Sequence, residues 1–124
     1  MKDYKELRVW QKSMELVTEL YRIVKLLPRE ETFALSDQMR RAAISIPSNI
    51  AEGYNRNSDQ ELLNFLYISR GSTAELETQI MIAISLKYFS DVDAEKALDL
   101  CGEVRRMLNS FISHIRRERI SDSG

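Results

Sequence analysis

The chain has one cysteine, one histidine, two prolines and four glycines among 124 residues. Each scarcity removes a class of protein. Cys101 alone cannot build an intramolecular disulfide framework, and His114 alone cannot supply a metal site that needs two imidazoles. Sandwiches and barrels turn about every ten residues, usually at Gly or Pro, and six such residues are too few for either. The longest apolar run, Ile80-Met81-Ile82-Ala83-Ile84, is far too short to cross a bilayer. Residues 1–6 are charged and carry neither the apolar stretch nor the cleavage site of a secretory signal, so a cytoplasmic protein without membrane association is expected. Charge of one sign is missing too. With 18 basic and 19 acidic residues the net charge is −1, which excludes a DNA-coating protein and an acidic tail, and any nucleic-acid binding must come from segregated charge.

What is present is a helical pattern. Apolar residues make up 44% of the chain and charged residues 30%, as expected of one soluble domain over residues 1–124. In four segments the apolar residues recur at alternating steps of three and four. The first carries two seams, Leu7, Trp10, Met14, Val17, Tyr21 and Val24 beside Leu16, Leu20, Ile23 and Leu27, and Pro28 ends it. The second carries Leu35, Met39, Ala42, Ile46 and Ile50 after Ser36 as N-cap. Ser58-Asp59-Gln60-Glu61 is a capping box that opens the third, and Ser90-Asp91-Val92-Asp93 opens the fourth. Helices are expected near residues 4–27, 36–54, 58–87 and 91–118. Short connections make neighbours antiparallel, so the fold class is all-α, an antiparallel up-down-up-down four-helix bundle. The surplus seam on the first helix points to self-association.

The polar residues offer few parts for catalysis. A di-iron bundle needs paired Glu-x-x-His motifs, and the residue three before His114 is Phe111. Glu75 and Glu77 point about 200° apart on a helix, and Cys101 sits on an apolar seam as a structural thiol. No catalytic, cofactor-binding or metal-ligating residue is assigned. Around Pro47, Arg41, Ser45, Ser48 and Glu52 fall at steps of four, three and four as a polar stripe beside the apolar one. One reading is a ligand or nucleic-acid site at a proline kink. The favoured reading is structural: Arg41 or Arg40 pairs with carboxylates such as Glu75, Asn49 bonds freed backbone groups, and Arg41, Asn49 and Glu52 are buried. Gly71, in a run of small residues on the third helix, costs about 1 kcal/mol against Ala. Without a Gly-rich loop and following lysine it is no phosphate loop, so close approach of two helix backbones is expected to compensate.

In the strings Val9-Trp10-Gln11-Lys12, Gln38-Met39-Arg40-Arg41-Ala42-Ala43, Ser45-Ile46-Pro47-Ser48-Asn49-Ile50-Ala51-Glu52-Gly53 and Gly71-Ser72-Thr73-Ala74-Glu75-Leu76-Glu77, the chain resembles the bacterial four-helix bundle family that includes proteins encoded by intervening sequences of large-subunit ribosomal RNA genes. The resemblance implies an up-down bundle that assembles with itself as a ring, commonly a homopentamer, without enzymatic activity or cofactor. It departs from the usual pattern at Phe33-Ala34-Leu35, where relatives often carry an aromatic followed by glycine.

In an up-down bundle residues 1–12, 52–61 and 105–124 share one end. They hold ten basic and seven acidic groups, a balance of +3, against −4 for the remainder. Candidate RNA or DNA phosphate contacts are Arg56, Arg105, Arg106, Arg116, Arg117 and Arg119, repeated around a ring. Complementing the dipole of the fourth helix would explain the same arginines, and the competing function is a protein-interaction scaffold or accessory subunit.

Overall fold

A computed structural model describes residues 3–123. Its helices are α1 (Arg8–Val24), α2 (Leu35–Tyr54), α3 (Asp59–Ser85) and α4 (Asp91–Ser123), with short 3-10 turns at Tyr4–Glu6 and Arg29–Glu31. No strand occurs among the described residues. Helices consecutive in the chain pack together and α4 closes back on α1, while the backbones of the diagonal pairs stay apart among the described residues. The protein is thus an up-down-up-down four-helix bundle.

Capping chemistry sets the starts of α3 and α4, whereas α2 starts at Leu35 after Ala34 without a side-chain cap, so the expected N-cap Ser36 lies inside the helix, buried. Ser58 Oγ accepts from the Glu61 N–H at 3.2 Å and opens α3. Ser90 and Asp93 form a reciprocal box: Ser90 Oγ accepts from the Asp93 N–H at 3.1 Å while the Asp93 carboxylate accepts from the Ser90 N–H at 3.0 Å. The Ser90 N–H and the Ser90 hydroxyl, both donating to the carboxylate, hold the Asp93 carboxyl below its usual range. α1 starts four residues later than expected because the Asp3 carboxylate caps the separate Tyr4–Glu6 turn and Leu7 is extended, with ψ 125°. It ends earlier because the N–H groups of Leu26 and Leu27 bond the carbonyls three residues back, which tightens the chain before Pro28. α2 runs unbroken through Pro47.

The core is built from Leu16, Leu20 and Ile23 of α1, Met39, Ile46 and Ile50 of α2, Leu66, Leu76 and Ile80 of α3, and Leu108 and Ile112 of α4, each essentially inaccessible. Each such side chain contributes about 1.5–3 kcal/mol. Of the two seams on α1, the one through Leu16, Leu20 and Ile23 faces this core, and Met14 and Tyr21 of the other remain exposed. Buried Glu19 is held by Arg22 through bonds of 3.0 and 2.6 Å, and this guanidinium keeps its carboxyl below the usual range.

Helix lengths matter for function. α1 has 17 residues and α4 has 33. Leu7, Arg8 and Val9 share a groove with Met107, Ser110 and Phe111, so the last dozen residues of α4 run past the start of α1. The far end consists of the end of α2, the start of α3 and the end of α4. Tyr4 shares a groove with Ser48 and Ala51 near the end of α2, so the start of the chain lies beside this end while the last dozen residues of α4 extend past it.

Candidate nucleic-acid interface

The chain turns after Tyr54, and Gly53, in the last turn of α2, faces the start of α3. A Cβ there would lie 2.7 Å from Phe65 Cβ and 3.2 Å from Leu62 Cδ1, so only glycine lets the start of α3 fold back this closely. The corner aims Arg56 across α3. Its Nη2 pairs with Glu52 Oε2 at 2.7 Å, and its guanidinium lies over the Phe65 ring, 4.9 Å from the centroid. Such cation–π contacts at exposed sites contribute about 0.5–1 kcal/mol.

Tyr67 serves two further arginines. Arg70, one turn later on α3, places its guanidinium 5.2 Å from the ring centroid, and Arg116 of α4 lies at 5.3 Å while donating to Tyr67 Oη. Arg70 Nη1 also donates to Asn109 Oδ1 of α4 at 3.1 Å. Nearer the end, Arg119 Nη1 donates to Gln60 Oε1 at 2.6 Å, and Gln60 Nε2 donates to Asn64 Oδ1 at 3.0 Å. The first three turns of α3 are thus flanked by Arg56 on the α2 side and by Arg70, Arg116 and Arg119 on the α4 side. A guanidinium has five N–H donors, more than the contacts of Arg56, Arg70 and Arg116 use.

Three of the six candidate arginines, Arg56, Arg116 and Arg119, are brought together here, and Arg117 is exposed on the same stretch of α4. Arg105 is not part of the cluster. Its Nη1 reaches Glu77 Oε1 and Oε2 at 3.1 and 3.0 Å midway along α3, a half-buried interhelical pair. Arg106, exposed, borders the groove beside Leu7 and Val9. Phe65, Tyr67 and Arg70 escaped the sequence reading. Two aromatics near an arginine three residues on were the available signal, since residues three apart on a helix meet.

The polar stripe differs from its expected form. Arg41 is exposed and pairs with Asp37 at 3.0 Å, one turn back on its own helix, rather than with Glu75. Glu52 is exposed and pairs with Arg56, and Glu75 is exposed, with Gln79 Nε2 as donor at 3.4 Å. Burial of Arg41 and Glu52 is corrected accordingly: these two face outward, where short pairs along one helix suffice. Half-buried Asn49 donates to the Ser45 carbonyl at 2.8 Å and to Ser45 Oγ at 2.9 Å, and the Ser45 and Ser72 hydroxyls share a bond of 2.9 Å between α2 and α3. Ser69 Oγ donates to the Ile46 carbonyl at 2.9 Å. Ser48 is exposed in an apolar groove with Tyr4, Trp10, Met14, Val17, Ile44, Pro47 and Ala51. Gly71 is also corrected, since a Cβ there meets nothing within 4 Å.

Burial pushes the Cys101 thiol up to about 12, which keeps it protonated and poorly nucleophilic. Among the described residues no group of three or more His, Cys, Asp or Glu could hold a metal ion, and no helix is long and apolar enough to cross a membrane.

Residues 5–110 match the family model described as 23S rRNA-intervening sequence protein. A crystal structure at 1.70 Å of a protein with unknown function from the S23 ribosomal protein family, from Bacteroides thetaiotaomicron VPI-5482, is similar with a TM-score of 0.77 and 28% identity. The match covers 84% of this chain and 97% of that one. No curated protein matches the chain.

Proposed function

The chain belongs to the 23S rRNA-intervening sequence protein family, and from that premise we propose that it is a non-enzymatic, self-associating bundle that binds RNA or DNA through the arginine-rich end of α3 and α4. The observation that carries the reading is the convergence of Arg56, Arg70, Arg116 and Arg119 on the first three turns of α3. Local cations of this kind attract phosphate even when the whole chain is nearly neutral. Self-association is supported by the apolar groove between α1 and α2, where Met14 and Ile44 are 42% and 45% exposed. The family resemblance supplies the number five for the ring, and a cyclic ring repeats the basic end once per subunit.

A second reading has its own observation. Arg56 and Arg105 are already paired with carboxylates, as in a protein-interaction scaffold whose arginines serve the fold alone. Binding to mixed RNA and DNA at two salt concentrations separates the two. The nucleic-acid reading expects measurable affinity that falls steeply with salt, whereas the scaffold expects none. Sedimentation is expected to return five times the 14.4 kDa chain mass, and a monomer at micromolar concentration contradicts the ring.

A further inference from the structure

We infer that the ligand of this end is a single strand of nucleic acid, laid across the first three turns of α3 with unpaired bases stacked on the Arg56–Phe65 and Arg116–Tyr67 pairs. The inference rests on the nucleic-acid reading above and names its ligand class. Three observations carry it.

The first is the kind of cation. Residues 52–70 and 109–119 contain five arginines and no lysine, although the chain has six lysines elsewhere. Contact with duplex phosphates alone is served by either side chain. A planar guanidinium differs from an ammonium in that it stacks. The second is posture. Arg56 lies over the Phe65 ring, 4.9 Å from its centroid, Arg116 lies at the hydroxyl end of Tyr67, 5.3 Å from the centroid, and both are exposed. A guanidinium backed by a ring offers its outer face as a charged plane of the kind on which unpaired bases stack.

The third is placement. Phe65 and Tyr67 are two residues apart on α3, so their side chains leave the helix about 200° apart and occupy opposite flanks. Between them the exposed ridge carries Gln60, Asn64 and Ile68, the last 49% exposed. The remaining amide N–H groups of Gln60 and Asn64 supply donors suited to base edges, and Ile68 supplies an apolar face. A flexible single strand can bend over a helix about 10 Å across and reach both flanks. A stiff duplex touches one flank and presents no unpaired base.

The test uses the full-length protein in its native assembly. Fluorescence anisotropy is read with a labelled 12-nucleotide RNA strand, the DNA strand of the same sequence, and the RNA and DNA duplexes of that length, at about 0.1 M salt. Both single strands are expected to bind about tenfold or more tightly than either duplex. Tighter binding of the RNA than the DNA strand identifies RNA as the source of that chemistry, and the reverse identifies DNA. The double variant Arg56→Lys with Arg116→Lys keeps the charge and loses the planes. It is expected to bind single strands about tenfold more weakly and to leave duplex affinity unchanged, with a thermal unfolding curve like that of the parent. Duplex binding as tight as single-strand binding overturns this inference and spares the nucleic-acid reading. So does an unaltered single-strand affinity in the lysine variant. Absence of binding to all four probes overturns both.

Discussion

At the end of the bundle where α1 meets α2 and α3 meets α4, charged groups close loops. Glu31 accepts from Tyr88 Oη at 2.8 Å and from the Leu35 N–H at 3.2 Å, Asp93 accepts from Ser90, and Arg40 Nη2 donates to the Thr32 carbonyl at 3.1 Å. At the opposite end Arg56 lies over Phe65 and Arg116 at the hydroxyl end of Tyr67, with donors to spare. A near-neutral total hides this difference. Carboxylates bonded to backbone N–H groups are committed to the fold, whereas a cation resting on a ring still projects its field and its remaining N–H groups. Apolar exposure divides the other way, with Phe33 94% and Val92 79% exposed at the loop end.

The largest expected effect breaks this contrast directly. Replacing Arg56, Arg116 and Arg119 together by alanine is expected to weaken nucleic-acid binding by roughly 100-fold, at about 1 kcal/mol for each lost contact. Replacing Lys25, Arg29 and Lys96 at the loop end removes the same charge and is expected to change affinity by less than about threefold, because their fields are screened over the length of the bundle. Anisotropy titrations on both variants check the pair, and equal losses would show that only net charge matters.

Two glycines sharpen the comparison next. Gly53→Ala drives a Cβ into Phe65 and is expected to destabilise the protein by about 1–3 kcal/mol while displacing Arg56. Gly71→Ala meets nothing within 4 Å and is expected to stabilise the helix by about 1 kcal/mol. Urea unfolding reads both, and a destabilising Gly71→Ala would place a close neighbour at that surface.

Acid is expected to act on the committed carboxylates. The folded-state values of Glu19 and Asp93 lie below their ordinary 4.5 and 3.8, so both stabilise the fold above those values. That stabilisation is lost as pH falls through the lowered folded values. Urea midpoints between pH 7 and pH 2 should fall less steeply in Glu19→Gln, and an unchanged slope would remove Glu19 from the account. The smallest effect concerns Cys101: with its thiol held at about 12, alkylation by iodoacetamide is expected to be negligible at pH 8 in the folded protein and rapid in denaturant.

Much of the fold was legible because the core seam of α1 and the stripes of α2, α3 and α4 follow one period, and because Ser58 and Ser90 carry their caps in the local sequence. The site was less so. Spacing places Arg41, Ser45, Ser48 and Glu52 on one stripe without saying how that stripe is rotated toward the core, and only Ser45 turns partly inward. Chain order assigned Arg105 to the basic end, but the mid-helix Glu77 decides otherwise. Tyr67 became visible only when α4 brought Arg116 to it, a contact between residues 49 apart in sequence.

Photocrosslinking of a bound oligonucleotide, followed by mass spectrometry of the tryptic peptides, tests the basic end most directly. The account expects adducts on the peptide containing Phe65 and Tyr67, with none on those containing Phe33 or Tyr88. Adducts concentrated at Phe33 or Tyr88 would move the binding surface to the loop end and contradict it.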